Sequence, residues 1–405
     1  MQNNNQVLQG KKSVLILILG VLSAIGPFSI DTYLAGFPKI ASDFKVSIDY
    51  VSYSLSSFFI GISVGQMLYG PLLDRFGRKT PLLIGLVVYL LASLGCAVAP
   101  SIEILIGLRF VQAVGGCVGM VAPRAIVRDL FPLHESAKVF SLLILILGVS
   151  PIIAPSVGSF MISALGWHSV FFLQAAMGLT LFLSVFFVLQ ESKGPDESVS
   201  LKPRPITRTF WKVFTNTQFF TYAFAGSLVA AGLYAYVSGS PLVFMEIHGL
   251  TEQQYGWLFG FLASGLILSS QLNNLALKWF TSEQIVKVSI PLQVFFGITL
   301  VVLSLFDLHS IYSIVALLFL FFCCQGFSFP NSSALSLVPF AKEAGSASAL
   351  MGALQMGFGA LSSALVGVFA NGTELPMTGI IASFSTLGLL VFVIGRRKIK
   401  MTSGS

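Results

Sequence analysis

Charged residues are scarce in this 405-residue chain. Asp, Glu, Lys and Arg make up 10% of it, whereas 55% of its residues are hydrophobic. A soluble domain carries roughly 25% charged residues. Because so little polar surface cannot cover a globule in water, the composition excludes an ordinary soluble protein and indicates that lipid is part of its solvent. The net charge of +7 then indicates basic loops at a membrane surface rather than binding of nucleic acid.

Cysteine and histidine are also rare. The four cysteines lie in apolar runs without metal-ligand spacing or a disulfide framework, and we interpret them as small hydrophobic residues; they are Cys96, Cys117, Cys323 and Cys324. We predict no metal site and no cofactor. The chain has no HExxH or Gly-Lys-Ser/Thr phosphate-binding pattern, and its one GxSxG match, at residues 61–65, lies inside an apolar run rather than at a strand-to-helix turn. An enzyme, or a transporter driven directly by ATP, is therefore not expected.

Long apolar runs, by contrast, are abundant. A membrane-spanning helix needs about 20 mostly apolar residues. Lys11 and Lys12 precede the first run as in a signal peptide, but the run continues without a cleavage pattern, which favours a retained helix. We predict an all-α integral membrane protein with twelve transmembrane helices, at residues 13–36, 48–72, 80–99, 102–124, 137–165, 169–189, 218–243, 255–277, 284–306, 312–338, 346–370 and 377–395.

The longest polar stretch, residues 190–216, divides the twelve runs into six and six. Such hydropathy symmetry is typical of a duplicated transporter fold made of two pseudo-symmetric six-helix bundles. We therefore predict an N-terminal bundle over residues 1–189, a cytoplasmic central loop over 190–216 and a C-terminal bundle over 217–405.

Basic residues are distributed unequally between alternate loops. All Lys and Arg residues fall on one side of the predicted membrane, except Lys39 and Lys45 on the other side and Arg109 inside a run. Because cytoplasmic loops are enriched in Lys and Arg, both termini are predicted to be cytoplasmic.

Two charged residues interrupt the apolar runs. At a rise of 1.5 Å per residue, Asp31 lies roughly 10 Å and Arg109 roughly 6 Å from the midplane, both towards the side opposite the termini. We therefore expect them at similar depth. Charges in hydrocarbon are costly, so both are functional candidates, with a structural ion pair as the alternative. Asp31 can bind and release a proton, whereas Arg109 keeps its charge and could tune Asp31 or hold a substrate.

Further polar and aromatic side chains could line a substrate cavity. Gln112 lies three residues after Arg109, on the same helix face. Tyr33 and Tyr236 are aromatic residues with a hydroxyl group inside apolar runs. We predict that Arg109, Gln112, Tyr33 and Tyr236 bind substrate, with ordinary packing as the alternative.

A ten-residue motif joins the second and third runs. It reads Gly70-Pro71-Leu72-Leu73-Asp74-Arg75-Phe76-Gly77-Arg78-Lys79 and resembles the cytoplasmic loop signature of the major facilitator superfamily. The resemblance implies a gating role for Gly70, Asp74, Arg75, Gly77, Arg78 and Lys79, in which Asp74 joins the two bundles by meeting the start of the eleventh helix near residues 345–347. The corresponding loop of the second half, residues 278–281, does not repeat the signature.

Two more segments resemble motifs of the same superfamily. Residues 109–116 resemble its fourth-helix motif, with Ala113 in place of a glycine. Residues 148–158 resemble the fifth-helix motif associated with antiporters, with Ala154 and Ser159 in place of glycines. This motif implies a gating role for its small and helix-weakening residues, namely Gly148, Pro151, Pro155 and Gly158.

A narrower resemblance concerns the first helix. Residues 29–34, together with Phe37 and Pro38, resemble the bicyclomycin- and chloramphenicol-resistance (Bcr/CflA-type) branch of the drug:proton antiporters, as do residues 238–241 and 326–331. Ala35 stands where that branch often has proline. The branch implies proton-coupled efflux of amphipathic compounds across the bacterial inner membrane. We predict a monomeric antiporter that exports such drugs by alternating access, with proton coupling at Asp31.

Two other functions remain open at the level of sequence. One is a major facilitator transporter of a narrow metabolite such as a sugar or siderophore. The other is a non-transporting receptor on the same fold. The presence of Asp31, Arg109 and the Asp74 loop favours a transporter over a receptor.

Overall fold

The computed structural model describes residues 2–131, 133–196, 210–306, 310–340 and 344–403. The regular structure of these residues is helical, and twelve segments are long and apolar enough to cross a membrane. The predicted all-α membrane fold is confirmed. The helices are α1 (Gln2–Asp31), α2 (Phe37–Phe44), α3 (Ile48–Phe76), α4 (Lys79–Ala97), α5 (Ile102–Leu130), α6 (Leu133–Leu165), α7 (His168–Val188), α8 (Thr217–Ser240), α9 (Glu252–Ala276), α10 (Ser282–Leu305), α11 (Ile311–Leu337), α12 (Ala344–Val368) and α13 (Leu375–Ser403).

The first span is broken, and the prediction of one continuous helix over residues 13–36 was wrong. Helix α1 ends at Asp31, a 3-10 turn follows at Leu34–Gly36, and α2 completes the span. Pro38 occupies the first turn of α2, where its missing N–H costs nothing. The seventh span is also irregular, because α8 continues into a π-helical turn at Pro241–Ile247.

Several helices extend past their apolar runs. Helix α3 ends at Phe76 and α5 at Leu130, four and six residues beyond the predicted ends at 72 and 124. Helix starts are set by capping side chains rather than by hydropathy. Thr251 and Thr281 each accept a hydrogen bond from the backbone of a glutamine three residues on, and that glutamine side chain bonds back to the threonine N–H.

The helices form two bundles. Helices α1–α7 pack mainly on one another, as do α8–α13, and the bundles meet where α3 lies along α12 and α6 lies along α9. Residues 197–209, with the predicted loop residues Lys202, Arg204 and Arg208, lie outside the described residues, so the proposed limits of the central segment stay a prediction. Because twelve spans alternate in direction, both chain ends lie on one face. We call it the terminal face and the opposite one the distal face.

Candidate functional site: a cavity between the two bundles

A cavity of about 180 Å³ lies between the bundles. Helices α1, α3, α5 and α6 line it from one side, and α8, α9, α11 and α12 line it from the other. Its wall is apolar and aromatic apart from one carboxylate and two hydroxyl groups, which belong to Asp31, Tyr234 and Tyr236. A concave, mostly apolar site with a few convergent polar groups is the usual form of a small-molecule site.

Asp31 is the last residue of α1 and is 6% exposed. Its carboxylate makes no ion pair or hydrogen bond within the described part of the chain. It shares the cavity wall with Tyr234 and Tyr236 of the second bundle, and Tyr255 of that bundle also lies near it. An isolated carboxylate in apolar surroundings is costly, so this position favours neutralisation by a proton or by a cationic ligand.

Arg109 is fully buried inside the first bundle. Its guanidinium lies between the rings of Tyr33 and Phe58, with 4.2 Å from its central carbon to each ring centroid. One terminal nitrogen donates to Gln112 Oε1 at 2.6 Å, and the other donates to the carbonyl oxygen of Ser29 at 3.2 Å. Arg109 is therefore held by rings and neutral oxygens rather than by Asp31.

A chain of amides extends from Arg109. Gln112 donates to Ser93 Oγ at 2.7 Å and to Gln174 Oε1 at 2.8 Å. Gln174 in turn donates to Thr32 Oγ1 at 2.9 Å and to the Ser29 carbonyl at 3.3 Å. These contacts join α4, α5 and α7 to the end of α1.

This network explains where α1 ends. Beyond Asp31 the last carbonyl groups of the helix lose their intrahelical N–H partners. The Ser29 carbonyl instead accepts hydrogen bonds from Arg109 and Gln174, both fully buried. The break is thus fixed by side chains from two other helices, and it positions Asp31 at the cavity.

The structure brings together only part of the predicted substrate-binding set. Tyr236 lines the cavity, and its buried hydroxyl has no hydrogen-bond partner among the described residues. Tyr33, Arg109 and Gln112 do not line the cavity in this conformation. Tyr33 instead donates to or accepts from Ser54 Oγ at 2.9 Å inside the first bundle. Their role in binding stays a prediction.

Two tyrosines near Asp31, Tyr234 and Tyr255, were not predicted from the sequence. The ring of Tyr234 packs on Phe59 at 4.7 Å between centroids, and its hydroxyl accepts from Gln355 at 3.4 Å. Tyr255 shares a 2.8 Å hydrogen bond with Ser240. The chain contains 10 Tyr and 37 Phe residues, so composition alone offers no signal that singles these two out.

The loop between α3 and α4 is held by acidic side chains of its own bundle. Arg78 bonds to Asp74 Oδ1 at 2.6 Å and to Asp129 Oδ2 at 2.8 Å. Burial alone would lower the pKa of Arg78, but the hydrogen bonds and charges of these two carboxylates outweigh burial and raise it. Glu191 accepts from the backbone N–H groups of Arg78 and Lys79.

The remaining residues of the loop motif support this arrangement. Gly77 has φ +84°, and a Cβ there would lie 2.8 Å from Glu191 Oε2, so glycine is required. Arg75 donates to the carbonyl oxygen of Asp196 at 3.4 Å. A Cβ added at Gly70 or at Gly345 would meet no atom within 4 Å. Among the described residues, Asp74 bonds to Arg78 and no hydrogen bond joins it to the start of α12, so the predicted contact there stays a prediction.

The fifth-helix motif lies at two close helix contacts. A Cβ at Gly158 would collide with the carbonyl oxygen of Thr32, so α6 touches the broken part of the first span. On its other side, a Cβ at Gly256 of α9 would lie 2.6 Å from Ser159 Oγ and 3.2 Å from the carbonyl oxygen of Pro155. Pro151 lines the cavity, and Gly148 lies near Ile267 of α9.

Polar contacts join the bundles from the distal face inwards. Lys39 at the distal end of the first span pairs with Glu252 at the start of α9, with 3.1 Å from Nζ to Oε1. Ser56 donates to Ser363 Oγ at 2.8 Å between α3 and α12. These contacts close the bundles against each other at the distal face, and further towards the terminal face Ser63 of α3 also donates to the carbonyl oxygen of Ala353 in α12 at 2.9 Å.

Comparisons with known proteins agree with this architecture. The profile of the Major Facilitator Superfamily matches residues 17–364. The nucleoside transporter NupG, solved in a mutant form, superposes with a TM-score of 0.71 at 15% identity, covering 96% of this chain and 99% of that one. A bacterial homologue of the lysosomal transporter Spinster, in an inward-facing and occupied conformation, gives 0.68 at 14% identity, covering 97% of each chain.

Curated relatives are more similar in sequence. The uncharacterized MFS-type transporter YdgK of Bacillus subtilis is 31% identical, covering 94% of this chain and 95% of that protein. The bicyclomycin resistance protein homolog of Haemophilus influenzae is 30% identical, with the same coverage of 94% and 95%. Multidrug resistance protein MdtL of Salmonella dublin is 30% identical over 90% of this chain and 91% of its own.

The chain belongs to the Major Facilitator Superfamily. It is a multi-pass membrane transporter of that superfamily, built from twelve spans.

Proposed function

We propose that this transporter is a proton-coupled antiporter that exports amphipathic drugs or similar small organic compounds by alternating access. The observation that carries the proposal is the position of Asp31, whose carboxyl group is the one acidic group among the described residues of the cavity wall. The names of the relatives linked to bicyclomycin and multidrug resistance support the drug class.

The distribution of Lys and Arg supports the orientation. The terminal face is cytoplasmic, so both chain ends lie in the cytoplasm of a bacterial cell. We also propose that the protein works as a monomer in the inner membrane. The conformation described above then faces inward, since its bundles are closed at the distal face. Asp31 releases its proton to the cytoplasm in this conformation, and cargo enters the cavity beside the free carboxylate.

Return to the outward-facing state opens the distal contacts and brings the cytoplasmic ends of α3 and α12 together. In that state a proton binds to Asp31 and competes with the cargo, which leaves. Asp74 exchanges its bond to Arg78 for the N-terminus of α12, whose exposed N–H groups favour a carboxylate. Gly158 and Pro155 allow α6 to follow, because small residues permit close helix contact and proline weakens the helical ladder.

The wall of the cavity favours drugs over a sugar or a similar polyhydroxy metabolite. No Asn, Gln, Lys, Arg or His occurs among the described residues that line it. A sugar needs several hydrogen-bond partners, because hydroxyl groups buried without partners cost free energy. Two tyrosine hydroxyls and one carboxylate supply too few of them.

The test is efflux from proteoliposomes with an imposed pH gradient, comparing wild type with Asp31→Asn. We expect gradient-driven transport in wild type and at least a tenfold lower initial rate in Asp31→Asn, since the amide cannot carry a proton. Glu103→Gln is the matched control, because Glu103 is a carboxylate on the exposed first turn of α5. Gradient-driven efflux of undiminished rate in Asp31→Asn, at equal protein content, would contradict the proposal.

A further inference from the structure

We infer that a groove on the membrane-facing side of the second bundle binds one acyl chain of a phospholipid from the leaflet at the distal face. This groove, which we call the lateral groove, lies between α9 and α11 and has a volume of about 930 Å³. Its described lining residues are all different from those of the cavity between the bundles. The inference is independent of the cargo and of the direction of transport.

The lateral groove is formed by one row of side chains on each helix. On α11, Tyr312, Ala316 and Leu320 are four residues apart and therefore lie on the same helix face. On α9, Trp257 and Phe261 have the same spacing. Tyr312 is 83% exposed and Trp257 is 71% exposed. Because the bundles are closed against each other at the distal face, these exposed rows face the bilayer, and the small Ala316 leaves the hollow between them.

The groove has the depth of one leaflet. Helices α9 and α11 start at the distal face, at Glu252 and Ile311. The lining of α11 extends from Ile311 to Leu320, which is about 14 Å at 1.5 Å per residue. This is close to half of the roughly 30 Å of the hydrocarbon core. At the inner end, the rings of Phe261 and Phe319 stack at 4.9 Å between centroids and join the two helices.

The polar groups of the described lining lie at the distal end of the groove. They include His248 and Gln254, and His248 Nε2 bonds to Glu374 Oε1 at 2.6 Å. Trp257 and Tyr312 come next, and both ring types are enriched at membrane–water interfaces. The deeper described residues of the lining are apolar. A phospholipid has the same order, because its headgroup lies at the surface and its chains point to the midplane.

The shape of the groove argues against two other occupants. Water would meet an apolar lining in the deeper part, where it cannot make the hydrogen bonds that hold a buried water. A spanning helix of a second copy is about 30 Å long and about 10 Å wide, whereas the groove stops at the Phe261–Phe319 ring pair. An acyl chain fits lengthwise, and contacts from two helices hold it more firmly than a single convex helix face would.

The bound chain lies behind the wall of the cavity. Phe259 of α9 and Phe322 of α11 line the cavity, and each is two residues from a residue of the groove, Trp257 and Leu320. Two residues correspond to more than half a helical turn, so the groove and the cavity lie on opposite sides of the same two helices. A chain held between α9 and α11 therefore supports that part of the wall, and the phospholipid is a structural ligand rather than cargo.

The experiment uses Trp257 as a reporter in the full-length protein. Trp211→Phe and Trp279→Phe remove the two other exposed tryptophans, whereas Trp167 is buried and gives a constant background. The purified protein in detergent micelles is titrated with phosphatidylethanolamine brominated on its acyl chains, and quenching of tryptophan fluorescence is recorded. The matched control combines the same changes with Trp257→Phe and Leu91→Trp, because Leu91 is 61% exposed and lies near the distal end of α4.

We expect half-maximal quenching of Trp257 at a lipid mole fraction at least fivefold below that of the control, because the groove prefers a long acyl chain to detergent. Ala316→Phe fills the groove and raises this mole fraction to the control value. Ala316→Leu fills it less, gives an intermediate value and serves if Ala316→Phe fails to fold. Equal mole fractions for Trp257 and the control would overturn the inference. Protection of Trp257 that grows with protein concentration would also overturn it, because a second copy would then cover the groove.

Discussion

The polar networks inside the two bundles differ, although each is centred on the third and fourth spans of its half. In the first bundle, Arg109 and Gln112 of α5 form a charged network. In the second, Gln293 of α10 donates to Gln325 of α11 at 3.3 Å and accepts from Ser328 at 3.0 Å, so this network is neutral. The charged network lies beside the broken first span.

This difference separates two tasks. The first bundle holds an unpaired carboxylate at the end of a broken helix, and a buried guanidinium satisfies the carbonyl group exposed by the break. The corresponding helix of the second bundle, α8, stays helical to Ser240 and supplies Tyr234 and Tyr236 to the cavity. The carboxylate and the guanidinium thus belong to the first bundle, whereas the tyrosine side chains of the cavity wall belong to the second.

The largest effect is expected from Arg109. Arg109→Met leaves Gln112 Oε1 without its donor, which costs about 1–3 kcal/mol for a buried unsatisfied group, leaves the Ser29 carbonyl with Gln174 alone, and removes the guanidinium from between two rings. We expect a loss of stability of several kcal/mol and loss of transport, seen by thermal unfolding of the purified protein and by efflux. Arg109→Lys is not a rescue, because an ammonium group lacks the planar fork and the stacking faces.

The neutral network supplies the matched comparison for Arg109. Gln325→Leu removes one weak hydrogen bond between neutral groups, at a net cost of about 0.5–1.5 kcal/mol plus any penalty for Gln293. A shift in unfolding temperature as large as that of Arg109→Met would show that the charge in the first bundle carries no special structural role.

An intermediate effect is expected at the loops of the terminal face. Arg78→Ala leaves the partly buried carboxylate of Asp129 without its main partner, which costs about 1–3 kcal/mol. The corresponding loop of the second bundle carries Trp279, which is 73% exposed. Trp279→Ser is therefore expected to change stability by less than about 0.5 kcal/mol. Equal shifts in the unfolding temperatures of the two variants would contradict the difference between the halves.

The smallest effect is expected at the ion pair that joins the two halves. Lys39 and Glu252 are partly exposed, and such pairs contribute about 0.2–1 kcal/mol. Lys39→Glu is expected to raise the outward-open population by a factor of about 2–5. The readout is the rate at which a membrane-impermeant maleimide labels the Ser363→Cys variant from outside. The protein without this substitution gives the background labelling. Lys39→Glu combined with Glu252→Lys restores the original labelling rate if the pair acts directly.

The fold could be predicted because the bilayer imposes it. Each span must satisfy its own backbone hydrogen bonds across about 30 Å of hydrocarbon, so apolar runs of about 20 residues identify helices directly. Helix ends were harder to predict. Thr251 and Thr281, for example, set the starts of two helices by local hydrogen bonds, which a hydropathy pattern does not show. The break after Asp31 was missed because it depends on Arg109 and Gln174, which are distant in sequence.

The site could also be predicted only in part, because its contacts depend on residues that are distant in sequence. Asp31 was found because a carboxylate in an apolar run is rare. Arg109 was found because a guanidinium in an apolar run is equally rare. Its contacts could not be predicted, because they are made with aromatic rings from other helices. Tyr234 and Tyr255 resemble many other aromatic residues of the chain, and only the packing of the second bundle distinguishes them.

The contact of Ser159 with Gly256 has an evolutionary consequence. Ser159 stands where the superfamily motif usually has glycine, and the hydroxyl occupies the space that a side chain at position 256 would need. In relatives with glycine at the first position, alanine at the second would meet only the backbone of Pro155, at 3.2 Å from its carbonyl oxygen, whereas two larger residues together would force the bundles apart. The two positions should therefore vary together among descendants of a common ancestor, with their summed volume under selection rather than the identity of either residue. Gly158 has no such freedom, because its neighbour is backbone and cannot be exchanged by mutation.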